Sequence, residues 1–325
     1  MTKNRIQILK EKMLSQPRYV SIEQALIITK TYKQHENEPI ILKRAYALAN
    51  ALRELEIGIE NEELIVGNRT KGVRYGVVFP ESGISWVDRE FETISTRKQD
   101  KFLVRDEDIK IFREQIVPYW KGKSLEDVIK QNFGKEISAI NKVVKINQTD
   151  HAQGHICPNV EKWLQKGVSG LLEDAQNHYE NADEDKKNFY QAIIIVMKAV
   201  QNFMLRYHDL LIATAKDDEK NRASLIKVAD ICKNISQRPP QTFHEAVQAT
   251  WFLFVILHME SNASSFSPGR LDKILYPYYI KDIENNILTK DESLEIIECL
   301  WLKFNEIVYL RNQHSAKYFA GFPIG

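Results

Sequence analysis

Apolar residues recur along most of this chain at the three-to-four-residue spacing that puts them on one face of a helix. Ile41, Leu42, Ala45, Leu48, Ala49 and Leu52 share such a face and predict a helix from Pro39 to about Leu55. Ser21 followed by Gln24 predicts the start of an earlier helix. Beyond Val160 the pattern strengthens. Val160, Trp163, Leu164, Gly167, Val168, Leu171 and Leu172 form one stripe. Phe189, Ile193, Val196, Met197, Val200, Phe203, Met204 and Tyr207 form the next. Pro239-Pro240 interrupts the pattern. Thr242-Phe243-His244-Glu245 has the spacing of a capping box and predicts a helix through about His258. Ser267-Pro268 predicts a further start, with serine as N-cap and proline at the first helical position. Thr289-Lys290-Asp291-Glu292 repeats the capping box and predicts a helix to about Leu310. Two stretches depart from the helical period. Glu63-Leu64-Ile65-Val66-Gly67 is short, apolar and closed by glycine, which predicts a buried strand. Val73 to Phe79 is β-rich between glycines and Pro80, which predicts a weaker strand or a loop. The expectation is a mostly α-helical chain with a few short strands and no internal repeat.

Composition narrows the class. The 325 residues are 43% hydrophobic and 27% charged, the balance of a globular protein able to bury a sizeable core. Lys+Arg 45 against Asp+Glu 44 leaves a formal charge of +1, so nothing electrostatic points to nucleic acid or an anionic membrane. Met1 to Lys12 lacks the apolar core of a signal peptide. Ala192 to Ile212, the most apolar long segment, carries Lys198, Arg206 and Asp209 and reads as an amphipathic or buried helix rather than a membrane span. Cys157, Cys232 and Cys299 contain no CxxC pair, which with the missing signal points to a reducing cytoplasm. Phe319 to Gly325 stops inside a Gly/Pro/aromatic turn, and the chain is expected to be cut short of its full architecture.

Several stretches, in order, resemble the pyruvate formate-lyase (PFL) domain of the glycyl radical enzymes. They are Arg44 to Arg53 followed by Glu63 to Asn68; Gly154-His155 running into Val160-Glu161-Lys162; Arg238 to Gln248; Glu260-Ser261-Asn262 through Ser267 to Asp272 and then Tyr276 to Tyr279; and Trp301 to Glu306 leading into Ala320 to Pro323. The resemblance makes residues 1–325 the N-terminal part of a PFL-like domain. It implies an α/β, helix-rich fold, part of a ten-stranded barrel surrounded by helices. It also implies a radical stored on a backbone glycine, installed by a radical S-adenosylmethionine activase and passed to a cysteine in a closed, dry cavity. The family's cysteine lies in Gly-Cys-x-Glu and its glycine in Arg-Val-x-Gly-Tyr, and neither string occurs in this sequence. No catalytic residue is therefore assigned, no cofactor is expected on this chain, and the chain alone is expected to be inactive.

Asp150-His151-Ala152-Gln153-Gly154-His155-Ile156-Cys157 is the densest polar cluster. Its two histidines four apart suggest a metal site, but Gly154 disfavours a helix presenting both and no fourth ligand is evident, so no metal is assigned. In dehydratase-like members of the resembled family the Gly-His histidine faces substrate hydroxyls. That assigns His155 to substrate binding or proton transfer, against the alternative of a loop histidine bonded to backbone. Ser264, Ser265 and Ser267 form a hydroxyl-rich turn from which alcohol-handling members lend a serine. Ser265 is assigned on that ground, against plain turn chemistry. Arg270 either holds an anionic substrate group or pairs with Asp272 to pin the turn. Lys303, Asn305 and Glu306 are expected on a solvated or network-forming face. His244-Glu245 opens a zinc-protease motif that Gln248 breaks. The expected activity is that of a lyase or dehydratase cleaving C–O or C–C bonds of a small hydroxylated substrate by thiyl-radical chemistry. The alternatives are a formate acetyltransferase of the pyruvate formate-lyase type and a non-catalytic helical binding protein or degenerate fragment. The implied partners are the small-molecule substrate, the activase, the remainder of the barrel and a second copy in a homodimer. Part of a barrel would leave strand edges and apolar surface uncovered, so the chain alone is expected to aggregate or bind hydrophobic dyes.

Overall fold

A computed structural model describes residues 4–144, 156–262 and 266–316. From the N-terminus come α1 (Arg5–Ser15), β1 (Val20–Ser21), α2 (Glu23–Gln34), α3 (Ile40–Glu54) and β2 (Gly76–Val77). α4 (Ser85–Glu90) precedes a continuous run of α5 (Asp106–Ile111), a π-helical turn (Phe112–Ile116) and α6 (Val117–Trp120), followed by α7 (Leu125–Ile140). The remainder is α8 (Val160–Glu180), α9 (Glu184–Asp217), α10 (Arg222–Gln237), α11 (Phe243–Glu260), α12 (Leu271–Glu284), α13 (Lys290–Phe304) and α14 (Gln313–Ala316). No helix among the described residues is long and apolar enough to cross a membrane.

The larger core forms where α9 packs against α3, α8 and α10, with α11 buried on almost every side. Trp163, Leu164 and Val168 of the α8 stripe and Val200, Phe203, Met204 and Tyr207 of the α9 stripe are buried as their spacing predicts. Phe189, at the start of the α9 stripe, is exposed. α8 is kinked at Gly167, whose φ of +63° only glycine adopts cheaply. A Cβ there would lie 2.9 Å from the Pro239 backbone, so the kink also admits the Pro239-Pro240 turn. A second core of Val20, Ile28, Trp86, Phe91, Phe102, Phe112, Trp120, Val308 and Leu310 lies under the short strands.

Those strands are four parallel extended segments side by side. β1 pairs in parallel with β2, Tyr19 bridges Leu103 on one side, and Gly76 bridges Val308 on the other. The α/β, helix-rich character holds, and the ten strands of the implied barrel are not present among the described residues.

Several expected boundaries move for identifiable reasons. Ser21 lies in β1 and does not cap α2, whose N-cap is Ile22. Glu63–Gly67 is buried but is not a strand, because side chains take the place of a strand partner. Ser267-Pro268 does not open α12. Gly269, at φ +70°, turns the chain first, and the helix begins at Leu271. α13 ends at Phe304 rather than near Leu310, since the chain leaves it to place Val308 in the strand row. The Thr289 capping box is complete. At Thr242 only the threonine half forms, because the Glu245 carboxylate accepts from Gln241 N–H, Asn234 and Arg238 instead.

An apolar groove of about 580 Å³ runs between α12 and α13, lined by Leu275, Tyr276, Ile297 and Trp301 among others. Tyr276, Leu294 and Trp301 are each more than half exposed there. The chain is expected to raise the fluorescence of a hydrophobic dye, and Trp301→Ser to lower that signal at least twofold. A signal unchanged by the substitution would place dye binding elsewhere.

Candidate functional site

The site region is built where α11 meets the loop after α3. Three side chains at successive turns of α11 grip the main chain of that loop. His244 Nε2–H donates to Leu64 O (2.7 Å), and Trp251 Nε1–H donates to Gly67 O (2.8 Å). Between them, Gln248 donates from Nε2 to Val66 O (2.7 Å) and accepts from Val66 N–H at Oε1 (2.9 Å). The buried backbone groups of Val66 are thus paired by one side-chain amide, as a neighbouring strand would pair them. Asn68 N–H donates to Tyr207 Oη (3.0 Å), which fixes where the loop turns inward.

That turn delivers Arg69 to the interior. Its guanidinium donates to the carbonyls of His258 and Val308, joining the end of α11 to the edge of the strand row. Burial pushes it down to about 10, so it stays charged at neutral pH, and among the described residues no carboxylate pairs with it. His258 is buried beside it with Nδ1–H bonded to Phe254 O (2.6 Å), and burial with the nearby Arg69 pushes its imidazole down to about 3. Tyr309 closes the group, its ring 6.1 Å from that of His258.

Below this lies a buried ion cluster. Lys303 Nζ donates to Glu63 (2.8 Å) and Glu306 (2.6 Å), and all three residues are under 8% exposed. Burial pushes the Glu306 carboxyl up to about 7, with Lys303 pulling it down and Glu63 pushing it further up. Burial alone would lower Lys303, but Glu306 and Glu63 hold its ammonium well above the ordinary range. Lys303 and Glu306 are therefore network-forming and not solvated. Their i, i+3 spacing was readable in the sequence, but the third member, 240 positions away, was not.

Of the residues assigned from sequence, His155 and Ser265 lie outside the described residues. The residues that follow each of them are joined. Ile156 and Phe266 form a parallel bridge, and Ser267 N–H donates to Ile156 O (2.9 Å). Cys157 Sγ lies 3.2 Å from where a Cβ on Gly269 would be, a second contact between the same two segments. Phe266 in turn packs edge-on against His258, with ring centres 4.7 Å apart. Arg270 is exposed at the start of α12 and donates twice to Asp272 (2.9 and 2.6 Å), which holds the Asp272 carboxyl down at about 2. Arg69, His258 and Tyr309 were not found from the sequence. No motif marks them, and only the folded chain brings them together near the end of α11.

Residues 1–324 match the family described as pyruvate formate lyase-like. The chain is 33% identical over 318 residues to "Probable dehydratase YbiW" of Escherichia coli, covering 94% of this chain and 39% of that protein. It is 29% identical to the (2S)-3-sulfopropanediol dehydratase of Klebsiella oxytoca, covering 95% of this chain and 39% of that one. The glycerol-bound B12-independent glycerol dehydratase of Clostridium butyricum superposes with a TM-score of 0.93 at 32% identity, over 100% of this chain and 43% of its own. This chain therefore spans about two fifths of the length of the relatives it matches. On the match across nearly its whole length, the chain belongs to the pyruvate formate lyase-like family.

Proposed function

We propose that this chain is the N-terminal part of a glycyl radical lyase or dehydratase that cleaves a C–O or C–C bond of a small hydroxylated substrate, and that it is inactive alone. Within the family assignment, the observation that carries this reading is the bridge between Ile156 and Phe266. It ties together the two segments that supply His155 and Ser265, the residues assigned to substrate hydroxyls. Arg270 contributes only by exchanging Asp272 for an anionic group on the substrate. A dehydratase named for sulfopropanediol and one with bound glycerol are consistent with a small polyol.

The cysteines present do not fit the radical centre. Cys232 and Cys299 are buried in helices, where burial pushes the Cys232 thiol up and the Cys299 thiol up to about 12, and Cys157 is exposed. None stands in Gly-Cys-x-Glu. The thiyl cysteine, the radical glycine and the strands completing a ten-stranded barrel would come from further polypeptide. The role of this chain is then to bind and orient the substrate and to form one wall of the cavity that excludes water. A radical S-adenosylmethionine activase, a second copy in a homodimer and a cytoplasmic setting belong to the same reading.

The test is anaerobic turnover of glycerol and 1,2-propanediol in the presence of activase. The chain alone is expected to form no carbonyl product. Made continuous with polypeptide carrying both motifs, it is expected to turn over, and His155→Ala or Ser265→Ala to lower kcat/KM by about 100-fold or more. Turnover by the chain alone, or full activity in both variants, rejects the reading.

A further inference from the structure

Beside the strand row a cavity of about 290 Å³ opens between α2, α5 and the loop after α3. None of its lining residues belongs to the segments assigned to substrate. Strand pairing fixes its wall. Val20 N–H donates to Leu103 O (2.9 Å) and Gly76 N–H to Tyr19 O (2.8 Å), which places the chain on either side of these bonds. Tyr75 lines the cavity, its ring edge-on to Tyr19 with centres 5.4 Å apart. The ring also lies against Gly72, where a Cβ would fall 2.4 Å from it, so a larger residue there would displace it. Ile22, Leu26 and Ile111 give the cavity an apolar side. The volume is near the lower end for small-molecule sites, roughly 300 Å³, so it suits a small ligand.

The charges lining this cavity are not matched by contact. Lys71 and Glu56 pair with each other, both side chains 61% exposed, which leaves Arg105 against Glu23 and Asp108. Arg105 lies over the Tyr19 ring, 5.0 Å from its centre, and forms no ion pair among the described residues. A guanidinium held on a ring face keeps its in-plane N–H donors for a ligand. Asp108, three residues on, lies on the same side of α5 but does not pair with Arg105. Burial pushes the Asp108 carboxyl up while Arg105 pulls it down, and burial pushes Glu23 up although its Oε1 accepts from Glu56 N–H (2.7 Å). A lone anion would meet two carboxylates, and a lone cation would meet the guanidinium. Among the described residues no three His, Cys, Asp or Glu side chains are placed to hold a metal ion. A ligand with both charges on neighbouring atoms and an apolar remainder matches the lining.

We propose that this cavity binds an apolar α-amino acid, whose carboxylate accepts from the Arg105 guanidinium, whose ammonium donates to Asp108 and whose side chain lies on Ile22, Leu26 and Ile111. Guanidinium and carboxylate one helical turn apart suit the two charged groups that an α-amino acid carries on one carbon. Glu23 adds negative potential for the ammonium from α2. The site is separate from the proposed reaction and does not depend on it.

The test is isothermal titration calorimetry of the intact chain at pH 7 with four compounds. L-Leucine carries all three features. 3-Methylbutylamine lacks the carboxylate, 4-methylpentanoate lacks the ammonium, and glycine lacks the side chain. L-Leucine is expected to bind saturably and about tenfold or more tighter than each of the others. Arg105→Gln should erase the preference over 3-methylbutylamine, and Asp108→Asn the preference over 4-methylpentanoate. Neither side chain holds another element in place, so both variants should fold, and the four-compound comparison on the parent decides the question if one does not. No saturable binding at millimolar L-leucine, equal affinity for any of the three partial compounds, or a preference that survives in either variant overturns the site. Each of those outcomes leaves the proposed reaction standing, since the reaction is judged by turnover.

Discussion

Lys303→Met lowers the unfolding free energy by about 3–5 kcal/mol, because it strands two buried carboxylates that share one cation. Glu63 and Glu306 lie 2.8 and 2.6 Å from Nζ, and each is less than a tenth exposed. Removing the ammonium leaves the two carboxylates to repel or to take up a proton at a cost, in a medium that screens poorly. The cluster also ties the loop after α3 to the end of α13, so its loss should loosen both. Equilibrium urea unfolding is the measurement, and a loss below about 1 kcal/mol would show that the pair is well solvated after all. The cluster has a pH signature as well. The folded pKa of Glu306, about 7, lies above the ordinary 4.5, so its protonation stabilises the fold fully below about 4.5, and that contribution is lost as the pH rises through about 7. His244 and His258 act in the opposite sense. Burial pushes them down to about 4 and 3, so their contribution is present above 6.5 and lost as the pH falls. Glu306→Gln separates the two effects. Its stability relative to the parent should rise between pH 5 and pH 8 by on the order of 2 kcal/mol. A difference that stays flat over that range would contradict the raised carboxyl.

Gln248→Leu should cost about 2–5 kcal/mol although leucine fills nearly the same space. The loss comes from Val66, whose N–H and C=O are both buried and, among the described residues, both paired through this amide, at about 1–3 kcal/mol for each group left unpaired. The effect should be local before it is global. The Val66 amide should exchange with solvent far faster in the variant, while amides in the middle of α9 keep their protection at mild denaturant. Gln248→Glu should also destabilise, since a carboxylate satisfies the N–H but sets an oxygen against Val66 O. Unchanged exchange at Val66 in Gln248→Leu would mean that the loop is held by His244 and Trp251 alone.

These two clusters also show what was legible in the sequence. Helices whose ends are set by neighbouring residues were readable. Pro39 opens α3, and Thr289 with Glu292 caps α13 on both sides. Where a distant group competes for the same atom, local reading failed. Glu245 was expected to complete the second capping box, and Arg238, Asn234 and Gln241 took it instead. Apolar Glu63–Gly67 looked like a strand because burial in the absence of a helical period usually means pairing with a strand. The pairing here comes from an amide about 180 residues further on. Ile307 to Leu310 continued the apolar run of α13, yet their place is set by Gly76 and the strand row. The site was legible only through its segments. Gly154-His155 and the serine turn pointed to two stretches that the fold does join at Ile156 and Phe266. Arg69 and His258 carried no signal, because a buried polar residue is distinguished by what surrounds it and not by its spacing.

The most direct test of the central claim is the electron paramagnetic resonance spectrum of the protein read through the codons that follow Gly325. The account predicts that the frame runs into Gly-Cys-x-Glu and then Arg-Val-x-Gly-Tyr, and that anaerobic incubation with a radical S-adenosylmethionine activase yields a glycine-centred doublet. A frame without those two strings, or a protein that carries both and never shows the doublet, would contradict it.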